Sequence, residues 1–258
     1  MKIVMDLHVH SIASGHAYST IKEIARAAAE KGLQAVAITD HGPAMPGGPH
    51  GYYFGNLKSV PKELYGVRIL RGVEANLMDI EGKLDLAPRF MKHLDLVSAG
   101  FHSDCFPPGG SMEVHTRALV NAIAGGLVDI IVHPGNPQFR MDPEKVVRAA
   151  KEHHVALEIN NSSLTGSRKG SLDVCPQIAE VAARYGIMVS LGSDSHWADT
   201  VGELEAALEL VLGAGIKPEN ILNTSMERLE EFLAIRQAKR PKGKKMSAVY
   251  TKPKNSKL

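Results

Sequence analysis

The chain has 258 residues, 44% of them apolar and 22% charged, an ordinary globular composition that excludes a collagen, a coiled coil or disorder over most of its length. Its two cysteines, Cys105 and Cys175, are too few for a disulfide scaffold or a cysteine-based zinc site, so any metal must be held by histidine and carboxylate. The formal net charge of +2 hides a division: eight of the 30 Lys and Arg lie between Lys239 and Leu258 with no acid among them, leaving 22 basic against 28 acidic residues in the body.

This division predicts a folded domain over residues 1–238 and a disordered basic tail over residues 239–258, whose charge suits a solubilising extension or attraction to a polyanion. No apolar run reaches transmembrane length. The N-terminal stretch MKIVMDLHVH sets Asp6 and two histidines where a signal peptide needs unbroken apolar residues, which predicts a cytoplasmic protein with no membrane partner.

Taken in order, the first strand is read in KIVMDLHVH. A helix follows from Ile21, announced by a capping box of Thr20 and Glu23 and stopped at Gly32. The second strand, QAVAITDH, leads into the loop GPAMPGGPHGYYFG, whose Gly, Pro and aromatic residues, His50 among them, suit a wall over a cleft. Strands then recur in GVRILRGVEAN, LDLVSAGFH and VDIIVHPGN, and Asp142 with Pro143 opens a further helix. VALEINNSS and IMVSLGSDSH complete the strands. Helices follow from Glu203 to Gly213, with Leu204, Ala207, Leu208 and Val211 on one face, and from Met226 to Arg236.

Strand starts thus recur at intervals of roughly 27 to 34 residues, the length of one strand plus one crossover helix. Seven such units predict a parallel α/β fold. No GxGxxG or P-loop follows the first strand to favour an open doubly wound sheet, so the expected fold is a distorted (β/α)7 TIM-like barrel.

Seven of the 12 histidines fall at or just past strand ends: His8, His10, His16, His41, His102, His133 and His196. Glu74 and Asp194 do the same. In a parallel barrel these C-terminal ends converge on one face, where active sites are built. His8 and His10, two apart on a strand, project to one side as a shared metal requires. A single histidine near a strand end is usually an ordinary hydrogen-bonded residue, but seven crowded with carboxylates would leave unpaired donors and acceptors unless cations were bound. The nine residues therefore predict more than one metal ion. Imidazole with carboxylate suits zinc, with manganese or iron as substitutes, and three zinc ions fit if one carboxylate bridges. His93, His115, His153 and His154 fall in or beside helices and receive no metal role, and His50 is read as a loop residue.

The motifs Asp6-Leu7-His8-Val9-His10, Ile38-Thr39-Asp40-His41-Gly42, Gly72-Val73-Glu74-Ala75-Asn76, Gly100-Phe101-His102, His133-Pro134-Gly135-Asn136-Pro137 and Gly192-Ser193-Asp194-Ser195-His196 resemble, in order, those of the PHP (polymerase and histidinol phosphatase) superfamily. The runs Ser14 to Thr20, Glu158 to Ser163 and Ser167 to Ser171 resemble its YcdX-type phosphatases, and the likeness covers about residues 1–238. The resemblance implies three zinc ions in a deep cleft. One would take His8, His10, Glu74 and Asp194, a second Glu74, His102 and His133, and the third His16, His41 and His196, with Glu74 bridging. It also implies a homotrimer.

Such a cluster, without a cysteine nucleophile or organic cofactor motif, predicts hydrolysis of small phosphomonoesters by direct attack of a metal-bound hydroxide. Arg168 and Lys169, on the loop after the sixth strand, are the expected phosphate-binding cations. Asp6 and Asp40 are candidates to orient ligand imidazoles, and Asn160 and Asn161 to line the mouth. The main alternative is a phosphodiesterase or nuclease acting on nucleic acid, with the tail holding the polyanion. An amidohydrolase is disfavoured because no lysine stands at a strand end to bridge metals. A non-catalytic protein stabilised by metal would not need to gather its ligands at a barrel mouth.

Overall fold

In a computed structural model that describes residues 1–241, every predicted strand run forms a strand: β1 (Met5–Val9), β2 (Ala35–Ile38), β4 (Val67–Asn76), β5 (Leu96–Gly100), β6 (Ile130–Ile131), β7 (Ala156–Asn160) and β8 (Val189–Gly192). They pair in parallel in the order β1-β2-β4-β5-β6-β7-β8, and a parallel bridge from Val9 to Ser195 brings the last strand back to the first. The result is the distorted, nearly closed (β/α)7 barrel. The short strand β3 (Glu63–Leu64), not anticipated from sequence, pairs antiparallel with the start of β4. Its turn is Tyr65-Gly66, with φ of 54° and 77°. Two residues of positive φ make the hairpin turn that follows the right-handed twist of its strands.

The helices are α1 (Ile21–Glu30), α2 (Gly51–Asn56), α3 (Pro88–Met91), α4 (Met112–Ala124), α5 (Pro143–His153), α6 (Asn161–Thr165), α7 (Ser171–Tyr185), α8 (Glu205–Gly213) and α9 (Met226–Lys239). Thr20 and Glu23 form the expected capping box, each side chain accepting the other's backbone N–H. Asp142 caps α5, with Pro143 in its first turn. α8 starts two residues later than the sequence suggests, because Leu204 turns inward ahead of it. α9 runs three residues past Arg236. Of the expected tail, Lys239 closes α9 and Arg240 hydrogen-bonds Asp129; residues 242–258 lie outside the described residues.

Strands covered on both faces should read as apolar runs, and these do, apart from Asp6, His8, Glu74, Asn76, Ser98, Glu158, Asn160 and Ser190, all buried, and the half-buried Arg68 and Arg71 of β4. The interior has two ends. At the N-terminal end Leu7, Leu70, Leu96 and Ile130 pack with Leu229, Phe232 and Leu233 of α9, which plugs that mouth. The buried imidazole and carboxylates, His8, Glu74 and Glu158, lie toward the opposite end. Among the described residues no helix is long and apolar enough to cross a membrane.

Candidate metal centre

The site is built on β1 and completed by the ends of β4, β7 and β8. On β1, His8 and His10 project to the same side, as alternation in a strand requires. His8 Nδ1 donates to Glu158 Oε1 at 2.7 Å, and a carboxylate can only accept, so the ring's proton sits on Nδ1. His10 Nδ1 lies 3.0 Å from Ser14 Oγ, whose single proton goes to Asp40 Oδ1 at 2.7 Å. Ser14 therefore accepts from His10, and this ring too carries its proton on Nδ1. Both Nε2 atoms are left as lone pairs, facing each other at 3.1 Å.

Two carboxylate oxygens face the same point. Glu74 Oε2 is 3.5 Å from each Nε2, and Asp194 Oδ1 is 3.6 Å from His8 Nε2 and 3.1 Å from His10 Nε2. A tetrahedral shell with bonds of ~2.0–2.1 Å separates its ligands by about 3.3 Å, the spacing found here. Four electron pairs around one buried point repel one another unless a cation stands between them. The donor set thus fits a metal ion.

The other oxygen of Glu74 reaches a second group of imidazoles. His133 Nε2 lies 2.6 Å and His102 Nε2 3.1 Å from Oε1, while His41 Nδ1 is 2.7 Å from Oε2. Yet His41 Nδ1, Glu74 Oε2, both ring nitrogens of His102 and His133 Nδ1 are buried without an aligned hydrogen bond among the described residues. Five such orphans in one cluster again call for ligands. The rings of His10, His41, His196 and His16 pack at centroid separations of 4.3 to 5.0 Å.

Ligand atoms within 4.8 Å of one another fall into three overlapping groups among the described residues: His8, His10 and Asp194; His10, His41 and His196; and His41, Glu74 and His102. His41 therefore stands between Glu74 and the His196 group, and His16 joins only by ring stacking from an exposed position.

The charge states suit ligands. Burial, with His41 nearby, holds the His10 pKa well below its ordinary value, and burial with Arg168 pushes His133 down to about 4. Against burial, His102, His41 and His8 keep Glu74 well below the usual carboxylate range, as His8 and Arg168 keep Asp194. His8 and His41 differ: against burial, Glu158, Asp194 and Glu74 push His8 well up and Glu74 raises His41, so the carboxylates here demand a positive charge that either a ring proton or a bound cation can supply.

The backbone is specialised here as well. Asp194 and His133 have φ of 57° and 32°, a left-handed conformation unusual for side-chain-bearing residues and one that proteins tolerate at functional sites. Gly192 has no room for a side chain, since a Cβ would stand 2.1 Å from Glu158 Oε1 and 2.5 Å from His8 Cβ.

Other expectations are redistributed. Asp40 does orient an imidazole, through Ser14, and is itself held by Ser11 and by Tyr53 of the aromatic loop. Asp6 touches no imidazole side chain; it accepts from Ser193 Oγ and the backbone of Ser193 and Gly202, tying β1 to the loop after β8. Arg168 Nη1 donates to Asp194 Oδ2 at 3.0 Å and to Asn160 and Ser163, whereas Lys169 is exposed. Asn160 caps α6 and bonds Glu158 and Asp194, and Asn161 accepts from Ala207 N. His50 caps α2, His115 packs on Phe101 and Phe139, and His154 stacks on Phe232. Glu158 is the participant the sequence reading left without a role.

A parallel barrel with a buried histidine and carboxylate centre at its C-terminal mouth defines a metal-dependent hydrolase architecture. The PHP domain model matches residues 6–233, and the chain belongs to that family. It is 52% identical over 233 residues to a probable phosphatase of Caldanaerobacter subterraneus subsp. tengcongensis, covering 90% of this chain and 92% of that one. A probable phosphatase of Aliivibrio fischeri is 46% identical over 237 residues, with 92% and 95% covered. The fold is similar to that of histidinol phosphate phosphatase from Lactococcus lactis, crystallised with zinc, L-histidinol and phosphate, at a TM-score of 0.59 and 17% identity over 83% of this chain and 94% of that one. The chain is accordingly a phosphoric ester hydrolase.

Proposed function

We propose that the chain is a zinc-dependent phosphatase that cleaves small phosphomonoesters at a centre of three ions, by direct attack of water on phosphorus. The observation that carries this reading is the cage of His8 Nε2, His10 Nε2, Glu74 Oε2 and Asp194 Oδ1, whose lone pairs converge at tetrahedral spacing. Glu74, whose second oxygen faces His102 and His133, would bridge two of the ions, which this proximity supports. His16, His41 and His196 would supply the third position. Zinc bound there supplies Lewis acidity, which makes water acidic near neutral pH and offsets charge on the phosphoryl oxygens.

The chain's own groups prepare the site. Glu158 and Ser14 fix the tautomers that keep both Nε2 atoms free. Arg168 meets Asp194 through Nη1, and its Nε and Nη2 make no hydrogen bond among the described residues. That side of the fork is available to grip a phosphate bidentately. Exposed Lys169 adds a screened charge at the rim.

The test is to purify the protein without chelator, measure bound zinc, manganese and iron, and assay p-nitrophenyl phosphate beside bis(p-nitrophenyl) phosphate. Monoester cleavage far above diester cleavage, lost with the metal in the His8→Ala, His10→Ala double variant, is the expected result. Diester preference would replace this reading with a phosphodiesterase. Direct attack requires inversion at a chiral phosphorus, and net retention would exclude it.

A further inference from the structure

Between α6 and the loop after β8 lies a cavity of ≈ 300 Å³ whose inner wall is formed by Asp194 and His196. It sits at the C-terminal face over the last two strands, where barrel enzymes commonly hold their substrates, and it is at the small end of the ~300–1,000 Å³ range of ligand sites. Its outer wall carries Trp197, 52% exposed, together with Ser162, Thr165 and Glu203.

Trp197 is held in place from behind. Its backbone N–H donates to Ser195 Oγ, and its carbonyl accepts from Ser195 Oγ at 2.6 Å and Thr200 Oγ1 at 2.9 Å. The next residue, Ala198, donates its N–H to Ser19 Oγ. An indole fixed by its turn yet open to solvent is an apolar face waiting for a flat apolar partner.

The polar groups around it have capacity to spare. Asn161 is buried, with its Oδ1 occupied by Ala207 N, but its Nδ2 makes no hydrogen bond among the described residues. Nor do Ser162 Oγ and the Glu203 carboxylate. These three offer, in turn, a donor, a group that does both, and an acceptor. A hydroxylated ligand, each OH both donor and acceptor, matches that set.

Charge narrows the choice further. No Lys or Arg lines the cavity, and Glu203 with Asp194 would repel a second anionic group. An ammonium would need a buried, unpaired carboxylate, but Asp194 Oδ2 is already held by Arg168 and Asn160, and Glu203 is exposed to solvent screening. We infer that the cavity receives a neutral polyhydroxylated leaving group, with Trp197 against its C–H face and Asn161, Ser162 and Glu203 on its hydroxyls. The substrate is then a sugar or polyol monophosphate, an inference that rests on the phosphatase reading.

Trp197 is the sole tryptophan of the 258 residues, so its emission reports occupancy without any turnover. The experiment titrates the zinc-loaded protein with glucose 1-phosphate, glycerol 1-phosphate, phosphoethanolamine and AMP, following Trp197 fluorescence and then kcat/KM, with p-nitrophenyl phosphate assayed in parallel. The sugar and polyol esters should shift the emission and exceed AMP and phosphoethanolamine at least about tenfold in kcat/KM. Glu203→Gln and Trp197→Ala should each raise KM for them about tenfold with little change in kcat. If p-nitrophenyl phosphate is cleaved while AMP or phosphoethanolamine is preferred, the inference is overturned and the phosphatase reading stands. If no ester is cleaved, the phosphatase reading fails, and an absent emission shift removes the pocket assignment as well.

Discussion

Glu158 Oε1 lies 2.7 Å from His8 Nδ1, so a carboxylate on β7 fixes the tautomer of a histidine on β1. Its second oxygen accepts the backbone N–H of His133 at 2.7 Å, holding the left-handed turn that aims His133 at Glu74. Glu158→Gln keeps an acceptor for only one of these two donors. Groups that orient metal-bound histidines are typically worth ~10–100-fold in metal affinity. Competition with a zinc chelator should show a loss in that range, and an unchanged affinity would reduce Glu158 to packing.

Ser14 is the corresponding support for His10. Its hydroxyl accepts from His10 Nδ1 and His41 N while donating to Asp40, which is buried and raised in pKa by that burial. Ser14→Ala leaves His10 Nδ1 without an acceptor and removes one donor from Asp40. A loss of ~1–3 kcal/mol in stability is expected from the unsatisfied groups, measured by denaturant unfolding of the metal-free protein, together with weaker zinc retention. Equal stability would mean that water replaces the hydroxyl.

These two supports show what the sequence reveals and what it withholds. The strands were legible because each is an apolar run ending in chemistry-bearing residues, and the seven histidines because they recur at those ends. Their partners were harder to read. Glu158 sits between Leu157 and Ile159 in a fully buried strand, and such a charge must have a partner. That signal was present in VALEIN, although the sequence does not say that the partner is His8, 150 residues away. Asp6 stands two residues before His8 and Asp40 one before His41, yet Asp6 holds a loop and Asp40 orients the ring of His10 through Ser14, a pairing that neither spacing announces. The reach of Arg168 back to Asp194 likewise depends on the path of its loop.

Away from the site, Arg71 and Asp95 form a forked pair, Nε to Oδ2 at 2.8 Å and Nη2 to Oδ1 at 3.1 Å, and Oδ2 also accepts the Arg71 backbone N–H. Against partial burial, Arg71 holds the Asp95 pKa below its ordinary value. A lowered carboxylate pKa adds stability above its unfolded value, near ~3.9, and that contribution disappears as pH falls through the folded value. Asp95→Asn should therefore cost about 1 kcal/mol or less at pH 7, given that Asp95 is 28% exposed, and progressively less below about pH 4. Urea titrations of both proteins across pH 3–7 would show it. A gap that stays constant with pH would mean that geometry, not charge, is what is lost.

Arg236 closes the other end of the barrel from the metal centre. Only 1% exposed, it donates to the carbonyls of His153, Gly126 and Val128 and to Asp129 Oδ1, fastening α9 to the segments that enter β6 and β7. Asp129 depends on it in turn, sharing Arg240 and the Val97 N–H as its other donors. Arg236→Met fills similar space but leaves three carbonyls and part of a buried carboxylate unpaired, so a loss of ~3–5 kcal/mol is expected. Asp129→Asn added to Arg236→Met should not recover it, since Arg240, 12% exposed, would then lose its carboxylate partner while the carbonyls stay unpaired. Because the plug is far from the catalytic face, folded Arg236→Met protein should keep its bound metal and its phosphatase rate per molecule. A fall in metal content at temperatures where the chain is fully folded would instead show that α9 transmits strain through the barrel to His8 and His10.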